Sequence, residues 1–274
     1  MRSIALFGLA LLFVSFGYAL EETLPKGAIQ FKIQVRGLTA DDYYNSQNIE
    51  LPGSLENAVS EHEDQIGDLQ FQFGWDSRIT IIAGTSFRRR SLDSSNNSLT
   101  SSGFPGVYLG VRQRLTPFTG GNVRLMAETG VFLPAEADDE DLLPLESGGV
   151  DWIMIGSYNQ DWYPTTGGFE MDIGYRFRNS GPEDEVFLDA RLRLDLRRVA
   201  KAVISYHVTE SLEDNQIEFP QTAYPMERGS RHIAIDLERP LSKRFTASVG
   251  YERVLDGRNT FKTSGFRVSV TWRR

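Results

Sequence analysis

Apolar and polar residues alternate one for one along most of this chain, in segments of about ten residues. Ile29, Phe31, Ile33 and Val35 alternate with Gln30, Lys32, Gln34 and Arg36. A period of two puts one set on each face of a β-strand, whereas a helix would scatter the same residues around its axis. The rhythm returns at Leu69–Trp75, Ile79–Arg88, Val107–Arg112, Val123–Val131 and Phe169–Arg178. It continues through Val186–Leu194, Lys201–Val208, His232–Glu238, Phe245–Glu252 and Phe266–Trp272, with a less regular segment at Trp152–Tyr158. About twelve strands result, each long enough to cross a bilayer when tilted.

The connections alternate as well. Short turns fall at 76–78, 116–121, 163–166, 195–198 and 240–243. Longer loops run through 39–64, 91–104, 135–150 and 209–228, with shorter ones near 179–184 and 256–260. This predicts an all-β fold, a transmembrane antiparallel β-barrel with short periplasmic turns and long extracellular loops. An even strand count leaves both termini in the periplasm.

At the N-terminus, Arg2 precedes an apolar run from Ile4 to Phe16, and Gly17 and Ala19 are small. These features predict a signal peptide over 1–19 and a single barrel over 20–274. The chain of 274 residues has no cysteine, so neither a disulfide framework nor a lipoprotein anchor is expected. A mean hydropathy of −0.32 excludes a bundle of membrane helices but not a barrel, in which only alternate residues meet lipid. The net charge of −8 argues against a nucleic-acid partner.

Alternation alone does not say which face is inside. The apolar face is nearly free of charge, as a lipid-facing belt requires. Trp75, Phe118, Trp162, Tyr163, Phe177 and Trp272 sit near strand ends, where an interfacial girdle would lie. Hydrocarbon is therefore expected outside and the charged face inside, in the outer membrane of a Gram-negative bacterium. Lipid and lipopolysaccharide would surround a monomer. The alternative is a soluble periplasmic β-protein with the faces exchanged.

Phe266–Trp272 resembles the terminal strand of outer-membrane barrels, which implies the outer-membrane assembly machinery as a partner; here Arg273 and Arg274 follow the aromatic residue. Leu24-Pro25-Lys26-Gly27 and Ala40-Asp41-Asp42-Tyr43-Tyr44 resemble the opening of the fatty-acid transporter and phenol-degradation MetA-pathway barrel families. That resemblance implies a small-molecule transporter. The few residues before the first strand leave no room for the N-terminal plug of the fatty-acid transporters.

The expected lumen lining is Lys32, Arg36, Arg88, Arg112, Arg114, Arg124, Glu128, Glu170, Asp172, Arg176, Asp189, Arg191, Arg193, Lys201, His207, Asp236, Glu252 and Arg267. Its bases make either a narrow path favouring anions or a salt-bridge network that fills the barrel. Inward glycines at 74, 84, 110, 130, 174 and 250 remove side-chain volume, which favours a passage, or permit tight strand curvature. The acidic residues Asp41, Asp42, Glu50, Glu56, Glu61, Glu63, Asp64, Glu136, Asp138–Asp141, Glu210, Glu213 and Asp214 are expected in the long loops.

Catalysis is not expected. His207 and Ser205 share a face, but neighbours of that kind are ~7 Å apart, too far for a nucleophile–base hydrogen bond. His232 is expected on the polar face and His62 in or beside an acidic loop. Asp138–Asp141 reads as a solvated acidic loop rather than a cation site. Neither a metal nor a cofactor is expected. The function expected is a channel or transporter, a porin in the broad sense, for a small molecule. The alternatives are a non-conducting structural or adhesive barrel and, third, a lipid-modifying barrel enzyme.

Overall fold

The computed structural model describes residues 23–44, 50–52, 61–93, 98–116, 122–135, 150–162, 167–179, 184–196, 199–212, 229–258 and 260–274. Its strands are β1 (Ile29–Ala40), β2 (Asp42–Tyr44), β3 (Glu50–Pro52), β4 (Glu61–Gly74), β5 (Ile79–Asp93), β6 (Ser98–Gly103), β7 (Gly106–Arg114) and β8 (Val123–Pro134). They continue as β9 (Asp151–Trp162), β10 (Gly167–Arg178), β11 (Glu185–Leu196), β12 (Ala200–Ser211), β13 (Gly229–Pro240), β14 (Phe245–Arg258), β15 (Thr260–Phe261) and β16 (Ser264–Arg273). No helix among the described residues is long and apolar enough to cross a membrane.

The wall is an antiparallel meander. Each long strand pairs with the next, and β1 pairs with β16 from Gln30↔Arg273 to Thr39↔Ser264, which closes the sheet. β6 and β7 both pair with β5 and form one stave broken at Phe104-Pro105, where proline has no N–H to offer the ladder. Gly106 resumes the stave at φ +154°, with no space for a Cβ beside Leu133 O. Twelve staves thus form a closed barrel, as a sheet surrounded by hydrocarbon requires.

The apolar face is outside. Ile33, Ile235 and Phe266 are 55%, 56% and 58% exposed, whereas Arg112 and Tyr108 are 0% exposed. A soluble barrel would show the reverse. Trp75, Trp162 and Phe177 lie exposed at stave ends; Phe118 and Tyr163 fall outside the described residues.

The staves run further than the hydrophobic pattern suggests. β4 starts at Glu61, β5 reaches Asp93 and β6 occupies 98–103, so much of what read as loops at 39–64 and 91–104 is sheet. Glu61, Glu63, Asp64 and Glu210 accordingly lie in strands, and Asp42 and Glu50 in the short strands β2 and β3. The period of two persists in charges there. His62, Asp64, Arg88 and Arg90 face inward and are buried, and Asp64 lies 3.8 Å from Arg88 and 3.6 Å from Arg90. Glu56, Glu136, Asp138–Asp141, Glu213 and Asp214 lie outside the described residues, as do residues 1–22 with the expected signal peptide.

Two features narrow the interior. At the long-loop end, β2, β3 and β15 form a small sheet, and Phe261 is buried with its ring stacked 4.3 Å from that of the inward-facing His62. At the short-turn end, Thr23–Pro25 turns into the barrel. Leu24 is buried, and its N–H donates to Thr80 Oγ1 at 2.8 Å. Gly74 lets the strand pass: a Cβ there would lie 2.0 Å from Pro25 O. The segment occupies lumen that the sequence reading left empty.

Candidate functional site

The interior splits into a packed half and an open half. The packed half lies against β5, β7, β8, β9 and β10. Ile82, Tyr108, Met126, Phe132, Ile153 and Ile155 form a buried apolar cluster there, with Phe187 of β11 against it. These residues face inward, against the general pattern, and Ile153 and Ile155 are why β9 alternated so poorly in the sequence. Tyr108 donates to Glu128 Oε1 at 2.7 Å, and Arg112 Nε donates to Glu128 Oε2 at 2.9 Å. Both bonds lie beside the cluster, where an unpaired charge would be costly.

Ionic layers flank this cluster at both ends of the barrel. Toward the long loops, Arg178 lies 2.8 Å and Arg176 3.4 Å from Glu185, with Asp151 at 3.9 Å from Arg176. Toward the short turns, Asp161 lies 2.7 Å from Arg124 and 3.0 Å from Arg193, and Arg193 lies 2.9 Å from Glu170. Arg191 stands 3.6–3.8 Å from Glu170, Asp172 and Asp189.

The open half is a cavity of about 140 Å³ against β1, β11, β12, β13, β14 and β16. Leu38 lines it toward the long loops, and Lys32, Thr246 and Thr271 line it toward the short turns. Arg36 bonds Asp68 at 3.0 Å. Arg267 bridges Asp236, with its Nε donating at 2.6 Å, and Glu252 at 3.0 Å. His207 Nδ1 lies 3.2 Å from Asp189 and its Nε2 2.8 Å from Thr209 Oγ1, while the ring of His232 stands 5.8 Å away. Both ring nitrogens of His207 are thus engaged, and neither by Ser205. His232 Nε2 is 2.8 Å from Ser230 Oγ.

The expected lining divides between the two halves. Lys32, Arg36, Asp189, Arg191, His207, Asp236, Glu252 and Arg267 line the cavity. Arg88, Arg112, Arg124, Glu128, Glu170, Asp172, Arg176 and Arg193 belong to the packed ion pairs. Arg114 is half-buried, and Lys201 lies exposed at the rim of β12. The arginines form mixed-charge layers rather than an uncompensated ladder. The pairing partners Arg90, Asp151, Asp161 and Glu185 were not singled out in the sequence, and Asp64 was read there as an acidic loop residue. Asp151 and Glu185 begin their strands, where alternation has too few repeats to be read.

The inward glycines are not empty space. A Cβ at Gly130 would lie 2.2 Å from Tyr108 Oη, and one at Gly110 2.6 Å from it. A Cβ at Gly174 would lie 2.0 Å from the Phe187 ring, and one at Gly250 2.1 Å from the Asp236 carboxylate. Each is a seat for a neighbour's side chain, which corrects the expectation that they widen a passage. No group of three or more histidines, aspartates or glutamates among the described residues is arranged to hold a metal ion.

No family model matches the sequence, and no curated protein matches it. Solved structures do. The COG4313 outer membrane channel from Pseudomonas putida F1 superposes with a TM-score of 0.73 at 14% identity, covering 92% of this chain and 97% of that one. The fold is that of an outer-membrane β-barrel. The NanC porin follows at a TM-score of 0.52 and 11% identity over 88% of this chain and 98% of that one. A ΔS2S3 mutant of TodX, a monoaromatic hydrocarbon channel, gives 0.50 and 11% over 92% and 91%. At these identities the likeness concerns the barrel.

Proposed function

We propose that this chain is an outer-membrane channel for a small polar solute, with its passage off-axis along the β12–β13–β14–β16–β1 wall. The observation that carries the reading is the division of the interior: one half packed shut, the other a polar cavity spanning much of the barrel height. The lipid-compatible exterior and the likeness to outer-membrane channels support the location. In this reading a signal peptide over 1–19 delivers a monomer to the periplasm of a Gram-negative bacterium. The assembly machinery then inserts it into lipid and lipopolysaccharide.

The physics of passage follows from the side chains. A solute leaving water loses hydration, and the charged and hydroxyl groups of the cavity wall replace it. Arg36, Arg191 and Arg267 attract anions, while Asp189, Asp236 and Glu252 temper that field, so weak rather than strong ion selectivity is expected. The Phe261–His62 stack lies at the long-loop end of the barrel and Leu24 at the short-turn end.

Planar-bilayer recording of the purified chain tests the reading. Small, stable unitary conductance supports it. A second reading, a structural barrel that passes nothing, is favoured by the packed half; silent insertion into the bilayer would establish it instead.

A further inference from the structure

One part of the lipid-facing wall departs from the smooth apolar belt. Outside β7 to β11 lies a groove of about 650 Å³. That volume falls within the range of about 300–1,000 Å³ typical of sites for drug-sized ligands. Its floor is Ala127 on β8 and Gly156 on β9, which stand opposite each other in register. Val111, Met154, Ile173 and Tyr175 wall it. The Tyr175 hydroxyl donates to Asp184 at 2.5 Å, which fixes that wall. Gly156 differs from the inward glycines: a Cβ there would meet nothing within 4 Å, so no neighbour within the barrel requires its smallness. The space it leaves faces lipid.

Gln113 borders the groove at the short-turn end of β7. It points outward between Val111 and Leu115, both exposed, and its carboxamide makes no hydrogen bond among the described residues. Hydrocarbon offers such a group no partner. An occupant with a carbonyl at its polar end would supply one. The extent of the groove fits an acyl chain. Register aligns Val111, Thr129, Met154, Tyr175 and Val186 in one row across four strand steps, about 19 Å at ~4.8 Å each. On a wall tilted by ~45° that row rises about 14 Å, close to half of the ~30 Å hydrocarbon core and so to one leaflet.

We propose that this groove binds one phospholipid of the periplasmic leaflet, with an acyl chain over Ala127 and Gly156 and an ester carbonyl accepting from Gln113. The site rests on the place of the barrel in the membrane and not on conduction.

Native mass spectrometry tests it, on the folded barrel released from micelles that contain phosphatidylethanolamine and lipopolysaccharide. One retained phosphatidylethanolamine per barrel is expected. Gly156→Trp fills the groove without entering the barrel interior and should abolish retention. Gln113→Leu should reduce it about fivefold, the loss of one hydrogen bond. Ile235→Trp, on the smooth belt of β13, should leave it unchanged. Wild type without bound phospholipid overturns the proposal, as does a Gly156→Trp or Gln113→Leu variant that retains as much as wild type. Lipopolysaccharide retained in its place, or a dimer that Gly156→Trp abolishes, assigns the groove to another occupant and overturns it too. A lipid-retaining barrel that is silent in planar bilayers removes the channel and leaves the site; conductance without bound lipid does the reverse.

Discussion

The ring of Tyr108 lies over two glycines, Gly110 on its own strand and Gly130 on β8, and its hydroxyl donates to Glu128 at 2.7 Å. One side chain thereby closes part of the lumen, and it has room to do so because two of its neighbours have no side chain. Gly130→Val should therefore dislodge Tyr108. A loss of about 1–3 kcal/mol is expected from the overpacking, read as a lower unfolding temperature in detergent. Unchanged stability would mean that Tyr108 does not fill that seat.

The Arg112–Glu128 pair has both side chains fully buried. Glu128→Leu removes the carboxylate that pairs with the buried guanidinium, at a cost of about 3–5 kcal/mol. Arg112→Met combined with Glu128→Leu should recover most of that loss. A double-mutant cycle on thermal unfolding measures the coupling, and additive losses would refute it.

Thr23–Pro25 crosses the short-turn end of the barrel through the space left by Gly74. Gly74→Leu should push the segment aside and raise unitary conductance, while Thr80→Val, which loses the acceptor for Leu24 N–H, should do so more weakly. Conductance at or below wild type in both variants would show that the segment does not limit flow.

Arg267 is held by Asp236 and Glu252 at the cavity wall. Replacing both carboxylates, Asp236→Asn with Glu252→Gln, unmasks one guanidinium beside Arg36. The reversal potential in a salt gradient should move toward that of the anion. A shift toward the cation would place the ion path elsewhere.

Leu109 points outward at mid-stave, 45% exposed, one residue from Tyr108. In hydrocarbon, Leu109→Arg should cost about 2–4 kcal/mol and reduce insertion; in water it would cost almost nothing. Folded yield in lipid vesicles separates the two.

The sequence by itself determined the local half of this structure. Strict alternation from Ile29 to Arg36 and again from Phe266 to Trp272 fixes which residues share a face, because side chains on a strand point alternately to either side. The antiparallel meander follows from the alternation of short and long connections. Charge-free apolar faces, repeated stave after stave, fix which side meets lipid.

What tertiary structure decided is everything that depends on which staves stand opposite or beside each other across the lumen. Asp64 became an ion-pair partner of Arg88 and Arg90 although it read as part of an acidic loop, because the register of β4 and β5 sets Asp64 opposite Arg90. Gly130 and Gly174 became seats for Tyr108 and Phe187, a fact that belongs to neighbouring strands and not to either glycine's own segment. Alternation records direction but not distance. Closing the sheet converts inward-pointing residues into a packed half and an open half, and only the closed cylinder says which is which.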